Sequence, residues 1–390
     1  MANNNKHTGP NVPALRFPEF SGEWESRTIG DDCKILMCKR IFANQTTSEG
    51  EVPFYKIGTI GDKADAYISK KLFEEYKQRY NYPKCGEVMI TCAGTVGKTI
   101  LYNGQDAYYQ DSNIVWISNP RKIYSNEFLN YLLNRVDWSK LNSTTITRIY
   151  NDNLRELHIT FPSREEQDKI VSLLTRIDDR IDTQSKIIEE LTTLRSALLE
   201  KVFQVSNPTL EVGAISHQTS ERNKLCRYSN VLSVSNRFGF INQSEQFEDR
   251  NVASDDVRNY KVVHRGDFAY NPARINVGSI AMLKSFESGI VSPMYICFQV
   301  DDTIVDPSFF ELFLETKAFK DEMEIRLEGS VRRCLSFEAL CEIHLPLPAL
   351  LVQRSISNKI GNISAKIKLE DRILRTYIRQ KEWLLKQMFI

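Results

Sequence analysis

Apolar positions along the chain follow two patterns that alternate. Ile170, Leu174, Ile177, Ile181, Ile188, Leu191, Leu198 and Val202 recur at steps of three, four and seven, as do Ile356, Ile360, Ile363, Ile367, Leu374, Tyr377, Leu384 and Met388. Such a sustained heptad spacing lays one apolar stripe along a helix and predicts two helices that pair side by side. Each follows a proline, Pro162 or Pro348, and about forty residues at 1.5 Å each give on the order of 60 Å. The segments before them carry short runs rich in Val, Ile, Tyr and Phe, such as EVMIT, SNIVWIS and YICFQV, broken by Gly, Asn and Asp. These predict mostly antiparallel strands joined by turns, with short helices over NEFLNYLLNRV and PSFFELFLETKAFKDEME. The expected order is a tail over 1–22, a mixed α/β domain over 23–162, a helix over 163–204, a second α/β domain over 205–346 and a helix over 347–390.

The alternation is a duplication. Laid on itself with a shift of 186, the distance from Gln167 to Gln353, the chain matches LRELHITFPSREEQDKIVSLLTRIDDRI with LCEIHLPLPALLVQRSISNKIGNISAKI. Leu154 falls on Leu340, His158 on His344, Pro162 on Pro348, and the register holds without a gap to Phe203 and Phe389. Polar residues interrupt both seams at matching places, Gln184 with Glu370 and Arg195 with Lys381, where they set register at some cost in stability. From Ser163 to Gln204 seven basic and nine acidic side chains leave −2; from Ala349 to Ile390 nine basic and three acidic leave +6. Opposite signs favour pairing the helices with each other over self-pairing of either. The domains align more loosely: CGEVMIT from Cys85 with RGDFAYN from Arg265, and VGKTI from Val96 with VGSIA from Val277. One adaptor duplicated and then aimed at two targets accounts for the pattern.

Composition narrows the function. Hydrophobic residues at 42% and charged residues at 26% are ordinary for a soluble globular protein. The opening MANNNKHTGPNVPALRF lacks a hydrophobic signal region, which predicts a cytoplasmic protein. The eight cysteines form no CxxC pair and are expected to be reduced. A net charge of +1 argues against a strong solitary DNA binder, because phosphate neutralisation supplies most of such a protein's affinity. Basic faces, or partners that supply the rest of the grip, remain compatible with it.

Several motifs resemble enzyme sites and depart from them. CAGTVGKT, Cys92 to Thr99, has Cys92 where a phosphate-binding loop needs glycine, and its counterpart ARINVGSI has no lysine. YNPAR, Tyr270 to Arg274, lacks the second proline and the aromatic of adenine methyltransferases, and no Gly-rich loop for a methyl donor accompanies it. Glu75–Tyr76–Lys77 and Glu315–Thr316–Lys317 have the local spacing of metal nucleases, and read as solvated side chains. His158 and His344 read as structural at the strand-to-helix junction. No catalytic, cofactor or metal site is therefore expected on this chain.

The order domain, long helix, domain, long helix resembles that of the specificity subunits of type I restriction–modification enzymes. So do the junctions HITFPSREEQ and HLPLPALLVQ, the opening VPALRFPEFSGEWE and the stretch YNPARINVGSIA. The resemblance implies an α+β fold in which two target-recognition domains each precede a long helix, the helices pairing as an antiparallel coiled coil with pseudo-twofold symmetry. It implies that each domain reads half of a bipartite sequence in double-stranded DNA, while the helices set the spacer. It also implies two methyltransferase subunits docked on the helices and two ATP-dependent nuclease subunits, with S-adenosylmethionine, ATP and Mg²⁺ belonging to those partners. Two sites on one face of DNA lie about one turn, roughly 34 Å, apart.

Loops on a rigid core suit base reading. The first domain offers Thr95, Lys98, Thr145, Thr147 and Arg148, the last three in NSTTITRIY. The second offers Asn271, Arg274, Asn276, Ser330, Arg332 and Arg333, with GSVRRC in the place equivalent to STTITR. Three other readings are a coiled-coil scaffold whose domains bind proteins, a specificity subunit of another restriction-system type, and a self-contained nuclease or methyltransferase.

Overall fold

A computed structural model describes residues 11–141, 148–204, 208–243, 256–329 and 333–390. Contacts divide the chain into two units: unit 1 joins Met1–Gln184 to Ile373–Ile390, and unit 2 is Ser185–Arg372. Each unit thus holds one globular domain and part of both long helices.

In unit 1 the strands are β1 (Glu25–Thr28), β2 (Lys34–Leu36), β3 (Val52–Tyr55), β4 (Tyr67–Ile68), β5 (Val88–Thr91), β6 (Thr99–Leu101), β7 (Tyr108–Tyr109), β8 (Ile114–Ser118) and β9 (His158–Phe161). The helices are α1 (Ile29–Asp32), α2 (Lys70–Arg79), α3 (Asn126–Leu133), α4 (Asn151–Arg155) and the first half of α5 (Arg164–Gln204). The central sheet runs β2-β8-β5-β6, all antiparallel. All four residues of β5 are buried, because other elements cover both faces of this inner strand. One face packs on α3, where Phe128, Leu129 and Leu133 join Val88, Ile90 and Ile117 in the core. The other carries a tyrosine-rich cluster with Phe73 of α2, Tyr108, Tyr109 and Trp116.

Unit 2 repeats the frame. Its strands are β10 (Thr209–Glu211), β11 (Ser216–Thr219), β12 (Leu232–Ser235), β13 (Gly239–Asn242), β14 (Lys261–His264), β15 (Phe268–Tyr270), β16 (Ile280–Met282), β17 (Ser288–Val291), β18 (Ile296–Val300) and β19 (His344–Pro346). The helices are α6 (Pro307–Glu315), α7 (Lys317–Ile325), α8 (Phe337–Cys341) and α9 (Leu350–Met388), which continues into unit 1. The sheet β11-β18-β15-β16 has the connectivity of β2-β8-β5-β6. The pair β10–β19 corresponds to β1–β9, so His344 and His158 stand exposed in matching strands. The units differ in what fills the space beside the sheet. Unit 1 places β3, β4, β7 and α2 there, and unit 2 the hairpin β12–β13 and the antiparallel pair β14–β17.

The long helices pair antiparallel in each unit. In unit 1, Lys381 of α9 forms an ion pair with Asp178 of α5, which also accepts 2.6 Å from the Tyr131 hydroxyl. Burial and that carboxylate push the Tyr131 phenol above its ordinary pKa. In unit 2, Arg195 Nε donates to Ser364 Oγ at 2.7 Å, and the same guanidinium meets Glu315 at the end of α6 at 2.8 Å. The 186-residue shift turns one pair into the other, so the matched polar seam residues Arg195 and Lys381 perform the same tie between helix, helix and domain.

Seam residues at the feet of the helices enter the domain cores: Ile170, Leu174 and Ile177 with Leu384 and Met388 in unit 1, and Ile360 with Ile356 in unit 2. Ile181, Ile188, Leu191, Ile363, Ile367, Leu374 and Tyr377 are half-buried. Two helices alone cover only part of each side chain. Near the end of α5 the stripe shifts: Leu198 is exposed, while Leu199 and Phe203 are buried against Phe309 and Phe313. An α-helix drifts about 20° per heptad from a 3.5-residue repeat, and here a domain core, not a partner helix, selects the buried position.

One residue ties each helix to its domain. Buried Gln167 donates through Nε2 to the carbonyls of Ile123 (3.1 Å) and Pro162 (3.0 Å) and accepts from the backbone N–H of Ser125 (2.8 Å). Gln353 does the same with Ile304 (3.2 Å), Pro348 (2.8 Å) and Asp306 (2.9 Å). Ser125 and Asp306 are themselves the N-caps of α3 and α6. Only a primary amide offers an acceptor and two donors on one planar group. A buried backbone group left without its partner costs about 1–3 kcal/mol. Gln167→Leu and Gln353→Leu are therefore each expected to lower stability by about 2–4 kcal/mol in urea unfolding of the full chain. Changes below roughly 0.5 kcal/mol would contradict the tie.

Candidate nucleic-acid interface

The turn after the inner strand is built alike in both units. In unit 1, Thr91 N–H donates to the Lys98 carbonyl (3.0 Å), and Thr91 Oγ1 accepts from Lys98 N–H (3.1 Å) and donates to the Thr95 carbonyl. In unit 2, Asn271 N–H donates to the Ser279 carbonyl (3.1 Å) and Asn271 Oδ1 accepts from Ala273 N–H (3.1 Å). Gly97 and Gly278 occupy the same place at φ 83° and 87°. The segment leading to the long helix then crosses the turn, Ile149 N–H donating to the Cys92 carbonyl (2.9 Å) and Leu335 N–H to the Pro272 carbonyl (3.2 Å). Arg148 and Cys334, the residues just before these donors, therefore hold equivalent places beside the two turns. CAGTVGKT joins two antiparallel strands, β5 and β6, and so leads into a strand, not into the helix that a phosphate-binding loop opens. Burial pushes the Cys92 thiol up to about 11, which keeps it neutral at ordinary pH.

Comparisons with known proteins find type I restriction specificity proteins. A family model described as the type I restriction modification DNA specificity domain matches residues 21–193. A Haemophilus influenzae protein described as a type I restriction enzyme specificity subunit is 47% identical over 162 residues, 42% of this chain and 41% of that protein. The MjaVIII type I specificity subunit of Methanocaldococcus jannaschii is 23% identical over 392 residues, 91% of this chain and 89% of that protein. Residues 21–193 are thus similar to the type I restriction modification DNA specificity domain. In fold it is similar to the crystal structure of the S subunit from M. genitalium, with a TM-score of 0.63 and 17% identity, covering 97% of this chain and 99% of that one. A structure solved in a study of type I complex assembly and conformational transition gives 0.54 at 15% identity, covering 94% and 97%. The match to the H. influenzae protein spans less than half of its length.

The fold sets the predicted side chains in different circumstances. Thr95 is exposed at the tip of the first turn. Lys98 directs its ammonium to the Ile60 carbonyl at 2.6 Å, and Ser279 at the matching place donates to the Val234 carbonyl at 3.0 Å. Both therefore tie the shared turn to the unit's divergent segment. The half-buried Arg148 guanidinium lies 5.8 Å from the Tyr150 ring centre. Arg333 binds Glu324 through its side-chain carboxylate and its carbonyl. Arg274 and Asn276 are exposed on the second turn, and Asn271 is half-buried beside them. Thr145, Thr147, Ser330 and Arg332 lie outside the described residues.

The carboxylates of the nuclease-like triplets are paired, Glu75 with Arg79 and Glu315 with Arg195. Among the described residues no group of three or more His, Cys, Asp or Glu could hold a metal ion, and no helix is long and apolar enough to cross a membrane. Sequence reading missed two segments that the fold sets against the turns: Lys56–Ile60, whose Ile57 abuts Gly94, and Asn236–Phe238, which abuts Gly278. Their turn-forming composition was visible. Their neighbours were not.

A Cβ on Gly97 would lie 2.1 Å from Trp138 Cδ1, whereas one on Gly22, at the same φ of 83°, would meet nothing within 4 Å. Gly97→Ala is expected to cost about 1–3 kcal/mol more than Gly22→Ala in urea unfolding. Equal costs would remove Trp138 as the seat of this turn.

Proposed function

We propose that the chain is the non-catalytic DNA-reading subunit of a type I restriction–modification complex, each unit recognising one half of a split target in double-stranded DNA. The observation that carries this reading is the repetition of one hydrogen-bonded turn on one sheet plan, next to segments that differ between the units. A constant frame with variable neighbours suits recognition of two unrelated half-sites, since loops on a rigid core carry specificity. Arg274, Asn276 and Thr95, exposed on these turns, are the side chains best placed to reach a groove.

The paired helices act as the spacer ruler and as the docking platform for two methyltransferase subunits, with two ATP-dependent nuclease subunits completing the complex. Apolar side chains left exposed on the helices, Leu194, Leu369 and Trp383, support such docking. S-adenosylmethionine, ATP and Mg²⁺ belong to those partners, and the complex works in the cytoplasm.

Mapping methylated adenines genome-wide, with and without the gene, tests the reading. Exchange of residues 23–162 for another subunit's first domain is expected to alter one half-site only; a target altered in both halves would contradict the modular assignment. Insertion of about one helical turn, roughly four residues, into the middle of α5 is expected to lengthen the spacer and keep both half-sites. Altered half-sites would defeat the ruler.

A further inference from the structure

Three exposed apolar side chains gather at one edge of unit 2, on three separate segments. Phe238 is 69% exposed, Val277 50% and Met294 60%, although such residues are usually buried. Phe238 sits on the turn between β12 and β13, where Ser235 Oγ accepts from the N–H groups of Arg237 (3.3 Å) and Phe238 (3.4 Å). Ser279 Oγ holds the Val234 carbonyl, and a Cβ on Gly278 would lie 3.3 Å from Asn236 Cβ, so this hairpin rests against the Asn271–Ser279 turn. Met294 Sδ lies 3.8 Å from Asn271 Nδ2, which brings the third segment to the same turn.

Two guanidinium groups stand at this edge, those of Arg237 and Arg274. Arg195, Arg258, Arg265, Arg326 and Arg333 of unit 2 each hold a carboxylate. Among the described residues Arg274 has no such partner, and Arg237 only lies over the Phe238 ring at 5.5 Å. Apolar surface flanked by these two guanidinium groups and the amides of Asn236 and Asn276 is complementary to the major groove. There thymine presents its C5-methyl group, purines present paired acceptors, and phosphates line the walls.

We propose that Phe238, Val277 and Met294 form the base-reading contact of unit 2, packing on the C5-methyl group of a thymine in its half-site while Arg237 and Arg274 bind the acceptor edges and phosphates around it. This rests on the DNA-reading function above and adds the chemical feature that is read. Arg237, Phe238 and Met294 are thereby specificity-determining residues.

The test is selection from a randomised duplex library by the full chain assembled with its methyltransferase subunits, the half read by unit 2 being assigned by exchange of residues 23–162. That half is expected to contain a thymine whose replacement by deoxyuridine, which lacks only the methyl group, weakens binding about three- to fivefold. Complexes carrying Phe238→Ser are expected to lose this discrimination, and Met294→Gln provides a second variant should the first fail to fold. Wild-type binding indifferent to deoxyuridine throughout that half-site overturns the contact and leaves DNA reading intact. So do variants that discriminate as the wild type does, or that lose only the methyltransferase. A wild-type complex that selects no sequence removes the functional reading and the contact together.

Discussion

A buried glutamine amide at the foot of each long helix is the constraint on which the rest of the structure depends. Gln167 and Gln353 each satisfy three backbone groups: the carbonyl two residues before an N-cap, the N-cap's own N–H, and the carbonyl of the proline that opens the long helix. Helix direction is thereby fixed relative to α3 or α6, and these pack on the central sheet. Without that bond set the helix would hang from an irregular strand end. With it, a long helix leaves each domain in a fixed direction.

The same economy governs the turns after the inner strands. Lys98 and Ser279 differ in charge and length, yet each spends its polar head on a carbonyl of the segment peculiar to its unit. The frame accepts different neighbours because the tie needs only a donor at that place. Divergence is then free to act on the exposed side chains, and the sheet connectivity is kept. A buried polar group without a partner is the costlier error, so the tie is held constant in kind while surface residues vary.

Two of the ties between the long helices centre on a long cation. Lys381 with Asp178 and Arg195 with Ser364 and Glu315 are cross-helix ties in which a long cation reaches past the apolar seam to a domain. Partly exposed ion pairs contribute modestly to stability, and their value here is register: sliding either helix by a turn would separate both pairs at once. Buried Gln184 and Glu370 interrupt the seams at matching positions in the same way.

The sequence by itself determined the two long helices, their heptad seams, the 186-residue duplication and the Pro-x₄-Gln junction. Helical periodicity and internal repetition are local or comparative properties that need no coordinates. It also aligned VGKTI with VGSIA, which sets Gly97 and Gly278, both at positive φ in the structure, at one place of the duplicated turn. Only the tertiary structure decided which side chains of those turns are free. Lys98 is engaged by a carbonyl from Ile60, Arg333 by Glu324, and Leu199 displaces Leu198 from the seam because α6 stands beside it. The meeting of Phe238, Val277 and Met294 was likewise invisible in the chain. Each of these outcomes is set by residues brought together from distant segments, and a one-dimensional pattern records what a residue is without recording what lies against it.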